Sequence, residues 1–398
     1  MIPAIRKAFN DSFRQERYRD FLDELDRAHP GQIEFRVAET AVFVPAAFRD
    51  KLFDACESIV DVIADPRFQE WTKDAVPPQL NVPGEMGRCE FIAFDFGVCT
   101  NEEGEHEPQL IEMQGFPSLS AYQVLLDDVF RRHFDVPAGF HTYLNRHDRD
   151  SYLDLFREIV LGGHAPQHVI LLEIFPERQK TRIDFYCTED YTGIHTVCLT
   201  KLIREGKKLF YLRNGKKTEV RRIYNRVIFD DLFHQEAAAR EKGKIFFEEL
   251  DVEWAPHPNW FYRISKYTIP FLRHPYVPAT YFLDQVKQLP DDLEHYVLKP
   301  LFSFAGQGVV IDIVREELEK IPDPQNWILQ RKVRYAGAIE TPDEPAKAEI
   351  RIFYFWKPGT PRPVAVNNLA RLSKGKMIGV RYNKDRDWVG GSLCYFET

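Results

Sequence analysis

The stretch "HYVLKPLFSFAGQGVVIDI", residues 295–313, decides how this sequence is interpreted. The run ending at Lys299 predicts a strand that stops at Pro300, and the run from Val309 predicts a second strand. Small side chains in the loop between them let backbone N–H groups approach a phosphate while Lys299 neutralises its charge. A plain glycine-rich hairpin with an exposed lysine is the alternative, because the stretch lacks the GK[ST] of a Walker motif.

Composition limits the class of protein. The chain has 398 residues, 44% of them hydrophobic, which is enough for more than one core. A net charge of -8 argues against nucleic acid or an anionic membrane as partner. The six cysteines are scattered, so neither a disulfide framework nor a zinc knuckle is indicated, and no run approaches the ~20 apolar residues of a membrane span. A cytoplasmic globular protein is expected.

Two further motifs flank the opening stretch. Lys266 lies upstream in "RISKYTIPFL", and Gln330 lies downstream on a predicted strand, "WILQRKV". Two lysines, a loop of small residues and a strand-borne hinge residue together resemble the ATP-grasp fold, in which ATP is held between two α+β lobes. The resemblance implies that nucleotide is bound by Lys266, Lys299, Ser303, Gly306, Gly308 and Gln330.

An arginine lies inside the strand "KAEIRIFYFW". Alternation along this strand puts Glu349, Arg351 and Phe353 on one face and the intervening residues on the other. Arg351 is then placed to bind a phosphate from inside a sheet, or it is a solvated arginine on an antiparallel sheet. The resemblance implies catalytic roles for Arg351 and for Arg371, which follows in "VNNLARLS".

Candidate metal ligands lie early in the chain, in "FIAFDFGVCTNEEGEHEPQLIEMQGF", residues 91–116. If this is a hairpin turning at Glu103 and Gly104, Asp95 faces Glu112 across the strands and Gln114 shares their face. Opposed carboxylates are destabilising unless a cation joins them, and Mg²⁺ prefers oxygen ligands. Two alternatives stay open: a longer loop shifts the register, or the carboxylates face water.

The order of these motifs, carboxylates first and lysines last, is similar to the circularly permuted arrangement of glutathionylspermidine synthase. That family has an Asp-Phe pair, then Leu-x-Glu-x-Asn followed by a proline, and much later Lys-Pro before a glycine-containing loop. Asp95, Glu112, Gln114 and Lys299 occupy the corresponding positions here. Two departures are a glutamine at 114, where the family has asparagine, and Ala93 in place of an arginine.

The expected fold class is α/β with α+β lobes, a circularly permuted ATP-grasp fold with a Rossmann-like pre-ATP-grasp domain. Residues 1–145 are expected to hold N-terminal helices and the metal-binding hairpin, with a helix over 118–134. Residues 146–255 form the Rossmann-like domain, in which "HVILLEIF", "TRIDFYCT" and "VRRIYNRVI" are strand-like. Residues 256–398 form the lobes that carry the lysines.

The function predicted from this resemblance is an ATP- and Mg²⁺-dependent carboxylate–amine ligase acting on small molecules through an acyl phosphate. A small-molecule kinase is one alternative. Another is a nucleotide-binding module without catalysis, which docks a partner through the aromatic residues of "NWFYRISKY". Basic residues of the middle region either bind a substrate carboxylate or are solvated: Arg178, Lys180, Arg182, Arg222 and Arg226. Neither the substrates nor the oligomeric state follows from the sequence.

Overall fold

The computed structural model describes residues 1–85, 87–303, 308–318, 320–375, 378, 383 and 385–398. The prediction of helices in the N-terminal region is confirmed, and a helix also follows the early hairpin. The α-helices in the described ranges are α1 (Pro3–Ser12), α2 (Gln15–Ala28), α3 (Ala46–Ile63), α4 (Phe68–Trp71), α5 (Tyr122–His133), α6 (Arg149–Leu161), α7 (Ile183–Thr192), α8 (Phe229–Phe233), α9 (Ala237–Gly243), α10 (Trp260–Arg263) and α11 (Arg315–Leu318).

The strands of the described ranges form five sheets. They are β1 (Val42–Val44), β2 (Phe91–Thr100), β3 (His106–Gln114), β4 (Phe140–His141), β5 (Val169–Glu173), β6 (His195–Cys198), β7 (Ile203–Glu205), β8 (Lys208–Arg213), β9 (Lys216–Val220), β10 (Arg222–Asn225), β11 (Glu253–Ala255), β12 (Thr280–Phe282), β13 (Tyr296–Pro300), β14 (Trp327–Arg331), β15 (Lys347–Phe355), β16 (Val364–Ser373), β17 (Gly390–Ser392) and β18 (Cys394–Glu397).

The central sheet joins the early hairpin to the end of the chain. Its strand order is β17-β16-β15-β2-β3, and every neighbouring pair is antiparallel. Strand β15 pairs with β2 along its length, from Glu349 opposite Gly97 to Phe355 opposite Phe91. Segments about 250 residues apart in sequence therefore share one sheet.

The predicted alternation of β15 is confirmed, because the two sets of side chains enter different cores. Ile350 and Ile352 pack on one face of the central sheet in a cluster with residues of α3. Phe353 and Phe355 pack on the other face with residues of α5 and α6. The centre of this sheet is therefore buried on both faces. Substitution of Ile352 by alanine is expected to lower the free energy of unfolding by about 2–5 kcal/mol.

The middle region contains a four-stranded parallel sheet of order β11-β10-β5-β6. The interpretation of "TRIDFYCT" as a strand is wrong: Ile183–Thr192 is helix α7, which crosses from β5 to β6. Its isoleucine, phenylalanine, tyrosine and threonines favour a strand locally, but consecutive parallel strands need a crossover, and here the tertiary requirement overrides propensity.

A small antiparallel sheet of order β12-β14-β13 carries Lys299 and Gln330. The strand predicted from Val309 onward is reduced to one bridge, in which Val310 exchanges backbone hydrogen bonds with Leu298. The helix predicted over 118–134 is confirmed as α5, which begins later, at Tyr122. Within the described ranges, no helix combines the length and apolar character needed to cross a membrane.

Candidate functional site

A charged cavity of about 260 Å³ lies between the central sheet and the small antiparallel sheet. The early hairpin, the late central strands and the lysine-bearing sheet all contribute to its wall. The ionisable or polar residues among those that line it include Glu112, Lys266, Lys299, Ser303, Gln330, Glu349 and Arg371. Six predicted site residues from distant parts of the sequence are thus brought together.

Lys299 enters this cavity from β13. Its Nζ donates hydrogen bonds to the Ile111 carbonyl oxygen, 3.1 Å away, and to Oε1 of Gln330, 2.6 Å away. Gln330 is itself fixed because its Nε2 donates to Oγ1 of Thr280 at 3.0 Å. Burial, with a smaller contribution from repulsion by Lys266, lowers the pKa of Lys299 to about 8. A phosphate bound in the cavity would therefore stabilise the charged form of Lys299.

Lys266 enters from the segment after α10 and is buried. Its Nζ donates to the carbonyl oxygen of Ser303 at 2.7 Å. The Ser303 Oγ and the Arg371 Nε are buried without a hydrogen-bond partner in the described part of the chain. Buried polar atoms are ordinarily satisfied, so these two groups are available as donors to a polar ligand in the cavity.

Of the two glycines predicted to bind nucleotide, Gly306 lies outside the described residues. Gly308 adopts a φ of +74°, a left-handed conformation that side chains other than glycine rarely adopt. A Cβ built there would also lie 3.0 Å from Cγ of Pro300. Both the backbone conformation and the contact with Pro300 therefore favour glycine at 308.

The predicted pairing of the early hairpin is confirmed, since Asp95 faces Glu112 and Ala93 faces Gln114. The register is not uniform, however. Thr100 faces His106 at the turn end, one residue out of step with a hairpin turning at Glu103 and Gly104, and an irregularity between Asp95 and Phe96 restores the pairing. Such a bulge inserts one extra residue in one strand and bends it.

Asp95 is the most completely neutralised of the predicted site residues. Arg351 binds it in bidentate fashion, Nε to Oδ1 at 2.6 Å and Nη2 to Oδ2 at 2.7 Å, and Nη2 of Arg371 donates to Oδ2 at 2.7 Å. Burial alone would raise the pKa of Asp95, but the two guanidinium groups outweigh it and hold the pKa below its ordinary value.

This finding revises three interpretations from the sequence. Asp95 does not face water, because its side chain is 1% exposed, and Arg351 is not solvated, because its side chain is 7% exposed. Neither residue is among those that line the cavity. A metal in the cavity would therefore compete with Arg351 and Arg371 for Asp95, which is buried behind the cavity wall.

Glu349 and Tyr335 are cavity residues that the sequence reasoning did not select. Glu349 forms an ion pair with Arg371 at 2.8 Å, and the Tyr335 hydroxyl donates to its other oxygen. Burial raises the pKa of Glu349. One signal for Tyr335 was Gly97 inside a strand: a Cβ there would lie 2.8 Å from the tyrosine ring, and strand glycines often mark such close approach.

Glu112 and Gln114 form the open part of the hairpin. Both are half-buried, and the Gln114 amide reaches Oε1 of Glu112 at 3.5 Å, the limit of a hydrogen bond. Across the described ranges, no group of three or more His, Cys, Asp or Glu side chains is arranged to hold a metal. A cation here would need ligands from a bound molecule as well.

The two buried arginines of the middle region are structural in this fold. Arg222 donates to the carbonyl oxygens of Val160 and Ile159, and Arg226 donates to the Pro117 carbonyl oxygen. Each is 5% exposed. The alternative that these two are solvated is wrong.

The sheets and the cavity show a mixed α/β protein in which a charged cavity lies between two antiparallel sheets. A glutathione synthetase-like effector from Globodera pallida, solved in its apo form, is similar in structure, with a TM-score of 0.58 and 12% sequence identity over 97% of this chain and 98% of that one. The sequence matches no protein-family model, and no curated protein is significantly similar to it. The likeness is one of fold.

Proposed function

We propose that this protein is an ATP- and Mg²⁺-dependent ligase that joins a carboxylate to an amine, built on a circularly permuted ATP-grasp fold similar to that of glutathionylspermidine synthase. One observation carries the proposal: Glu112 from the early hairpin and Lys266 and Lys299 from late in the chain line one cavity. The fold likeness to a glutathione synthetase-like effector supports it.

The cationic side of the cavity fits a triphosphate. Lys266 and Lys299 donate to neutral oxygens, so a phosphate can replace those partners with a stronger, charge-assisted one. The Ser303 hydroxyl and the Arg371 Nε, which have no partner among the described residues, are further donors. Gln330 holds Lys299 in place, which is consistent with the hinge role that the sequence suggests.

The anionic side fits a magnesium ion that is shared with phosphates. Mg²⁺ usually takes one or two protein carboxylates and completes its shell with phosphate oxygens and water, so three protein carboxylates are not needed. Glu112 and Gln114 supply an open carboxylate and an amide oxygen. Asp95, held by Arg351 and Arg371, lies directly opposite Glu112 on the neighbouring strand.

When ATP and Mg²⁺ are bound, they supply an activated phosphoryl group for a substrate carboxylate, and an amine then displaces the phosphate. The protein's own contribution is positioning and charge neutralisation by Lys266 and Lys299, to which the Nε of Arg371 adds a hydrogen-bond donor. No side-chain nucleophile is required. Arg351 acts through Asp95 rather than on the phosphates directly.

The domain division proposed for this function keeps residues 1–145 for the N-terminal helices and carboxylate hairpin and residues 256–398 for the lysine-bearing lobes. Residues 146–255 form the pre-ATP-grasp domain. Its four parallel strands with crossover helix α7 support a Rossmann-like description.

The experiment that tests the proposal is a screen of carboxylic acids and amines for ADP release. We expect release that needs Mg²⁺ and that rises when an acid and an amine are present together. ADP release with a hydroxyl compound alone would point to a kinase instead. Absence of nucleotide binding by the intact chain would contradict the proposal.

A second candidate, a nucleotide-binding module without turnover, is favoured by the saturation of Asp95 with two arginines. The partner-docking surface that the sequence suggested for this alternative is not supported, because Trp260 and Tyr262 are buried. Turnover separates the candidates: a ligase releases ADP when Mg²⁺, an acid and an amine are present, whereas a binding module binds nucleotide without releasing ADP.

A further inference from the structure

The segment that follows the carboxylate hairpin, residues 115–122, is tied to three other parts of the molecule. We call it the brace segment. At its start, the Gly115 N–H donates to the Ile264 carbonyl oxygen at 2.8 Å. Ile264 precedes Lys266 by two residues, so this one hydrogen bond connects the end of the Glu112 and Gln114 strand directly to the lysine segment.

Gly115 permits this connection because it has no side chain. A Cβ at this position would lie 2.4 Å from the Trp260 carbonyl oxygen and 3.0 Å from Cβ of Ile264. The φ of Gly115 lies outside the left-handed region, so close approach of two backbones, rather than backbone conformation, requires glycine here. The backbones of Gly115 and Trp260 are therefore so close that no side chain fits between them.

The opposing backbone cannot easily yield. Trp260 is 1% exposed and packs in the core against Phe68. Helix α10, to which it belongs, is further held by Arg263, whose Nη1 donates to the carbonyl oxygens of Gln69 and Thr72 at 2.9 and 2.8 Å. A larger residue at 115 must therefore move the hairpin rather than α10.

The far end of the brace segment is anchored to the parallel sheet. Arg226 donates to the Pro117 carbonyl oxygen, with its guanidinium 4.9 Å from the Phe116 ring centre and 5.3 Å from that of Phe185. The buried Asp184 carboxylate accepts N–H groups from residues 121 and 122 at the start of α5, both at 2.9 Å. The brace segment is thus held at both ends.

We propose that Gly115 is a positioning residue that sets the distance between Glu112 with Gln114 and the phosphate-binding Lys266, and that Arg226 supports it from behind. The inference rests on the proposed function. Its physical basis is that a metal shared between carboxylate and phosphates tolerates little misplacement, and a shift of about 1 Å costs on the order of 100-fold.

The test measures nucleotide affinity with and without Mg²⁺ in Gly115→Ala. The ratio of the two dissociation constants is the gain in nucleotide affinity on adding Mg²⁺. This gain requires that the carboxylate hairpin and the lysines bind the same nucleotide. We expect affinity in EDTA to change less than about threefold, because the lysines stay in place, and the Mg²⁺-dependent gain to fall roughly tenfold to 100-fold. A merely structural role would lower the melting temperature and leave this ratio unchanged.

Gly243→Ala is the matched control. A Cβ there would lie 2.4 Å from Cδ2 of Leu232, the end of a side chain that can move, so the variant controls for a glycine-to-alanine change away from the residues that line the cavity. It should leave the ratio as in the wild type. Should Gly115→Ala not fold, Arg226→Met decides, because it removes the hydrogen bond to Pro117 and keeps an apolar side chain between the rings.

The outcomes separate the inference from the proposed function. Wild-type protein that binds no nucleotide overturns both. Wild-type protein with a clear Mg²⁺-dependent gain that Gly115→Ala, or Arg226→Met if the former does not fold, leaves intact overturns the positioning role alone. A loss of the gain in the variants with normal affinity in EDTA supports it.

Discussion

Two regions on either side of the cavity differ in how their buried charges are paired. In the central sheet, Asp95, Glu349, Arg351 and Arg371 neutralise one another through short, direct ion pairs. In the small sheet and the segment before it, the two lysines donate to neutral oxygens. A charged side chain near a cavity is therefore not available to a ligand when it is already paired with an opposite charge.

The energetic consequence follows from burial. In the central network, each buried charge is paired with an opposite charge rather than with water. Removing one member therefore leaves another buried and unpaired. A lysine that donates only to carbonyl and amide oxygens retains unsatisfied charge, which an anion can neutralise. The central network is therefore expected to act mainly on stability, and the lysines mainly on binding.

The largest effect is expected for Arg351→Met, which removes the bidentate partner of Asp95. We expect the free energy of unfolding to fall by about 3–5 kcal/mol, as for other broken buried ion pairs. Chemical denaturation measures it. Arg362→Met is the control, because Arg362 pairs with Glu57 and Asp61 at an exposed site and should cost less than about 1 kcal/mol. A loss as small as the control's would show that the network is not a stability element.

Lys299→Met tests the other side of the comparison. Loss of one charged hydrogen bond to phosphate, about 1.5–3 kcal/mol, should weaken nucleotide binding roughly tenfold to 100-fold. The free energy of unfolding should change little, because removal of a buried ammonium offsets the loss of its hydrogen bonds to Ile111 and Gln330. Calorimetric titration with ATP measures the affinity, and Lys287→Met, an exposed lysine, should bind as the wild type does. Unchanged affinity in Lys299→Met would remove the lysine from the proposed site.

Glu112→Gln separates the open carboxylate from the closed one. Because Glu112 is half-buried and forms no ion pair in the described part of the chain, the free energy of unfolding should change by less than about 0.5 kcal/mol. The gain in nucleotide affinity on adding Mg²⁺ should fall about tenfold, the effect of one charged ligand. Glu103→Gln, exposed at the hairpin turn, is the control. A large stability loss would place Glu112 with Asp95 in the structural network.

The smallest expected effect is a pH dependence. The pKa of Lys299 is lowered by burial from 10.5 to about 8, so its ammonium is lost as pH rises through 8, and nucleotide affinity should weaken roughly tenfold between pH 7 and 9. Lys299→Arg stays charged and should lose this dependence. Because the unfolded chain keeps the proton up to its ordinary pKa, stability should rise from about pH 8 to 10.5. A flat affinity profile in the wild type would contradict the charge assignment.

The alternation of residues along a strand predicted correctly which side chains share a face. Local composition failed where the connection between two strands determines the secondary structure. The faces of β15 and the pairing of Asp95 with Glu112 followed from the two-residue period of a strand. Helix α7 was missed because its composition favours a strand, while the crossover between β5 and β6 demands a helix. The bulge in the early hairpin left no clear signal in the residues around it.

The sequence alone determined which residue types could meet at the cavity: two carboxylates and an amide on one hairpin, and two lysines with small residues late in the chain. Only the tertiary structure decided which of them remain open. Arg351 and Arg371 reach Asp95 from 256 and 276 residues away, and no local pattern encodes that contact. The physical reason is that a charge's partner is set by the packing of sheets, whereas its position on a strand face is set by neighbouring residues.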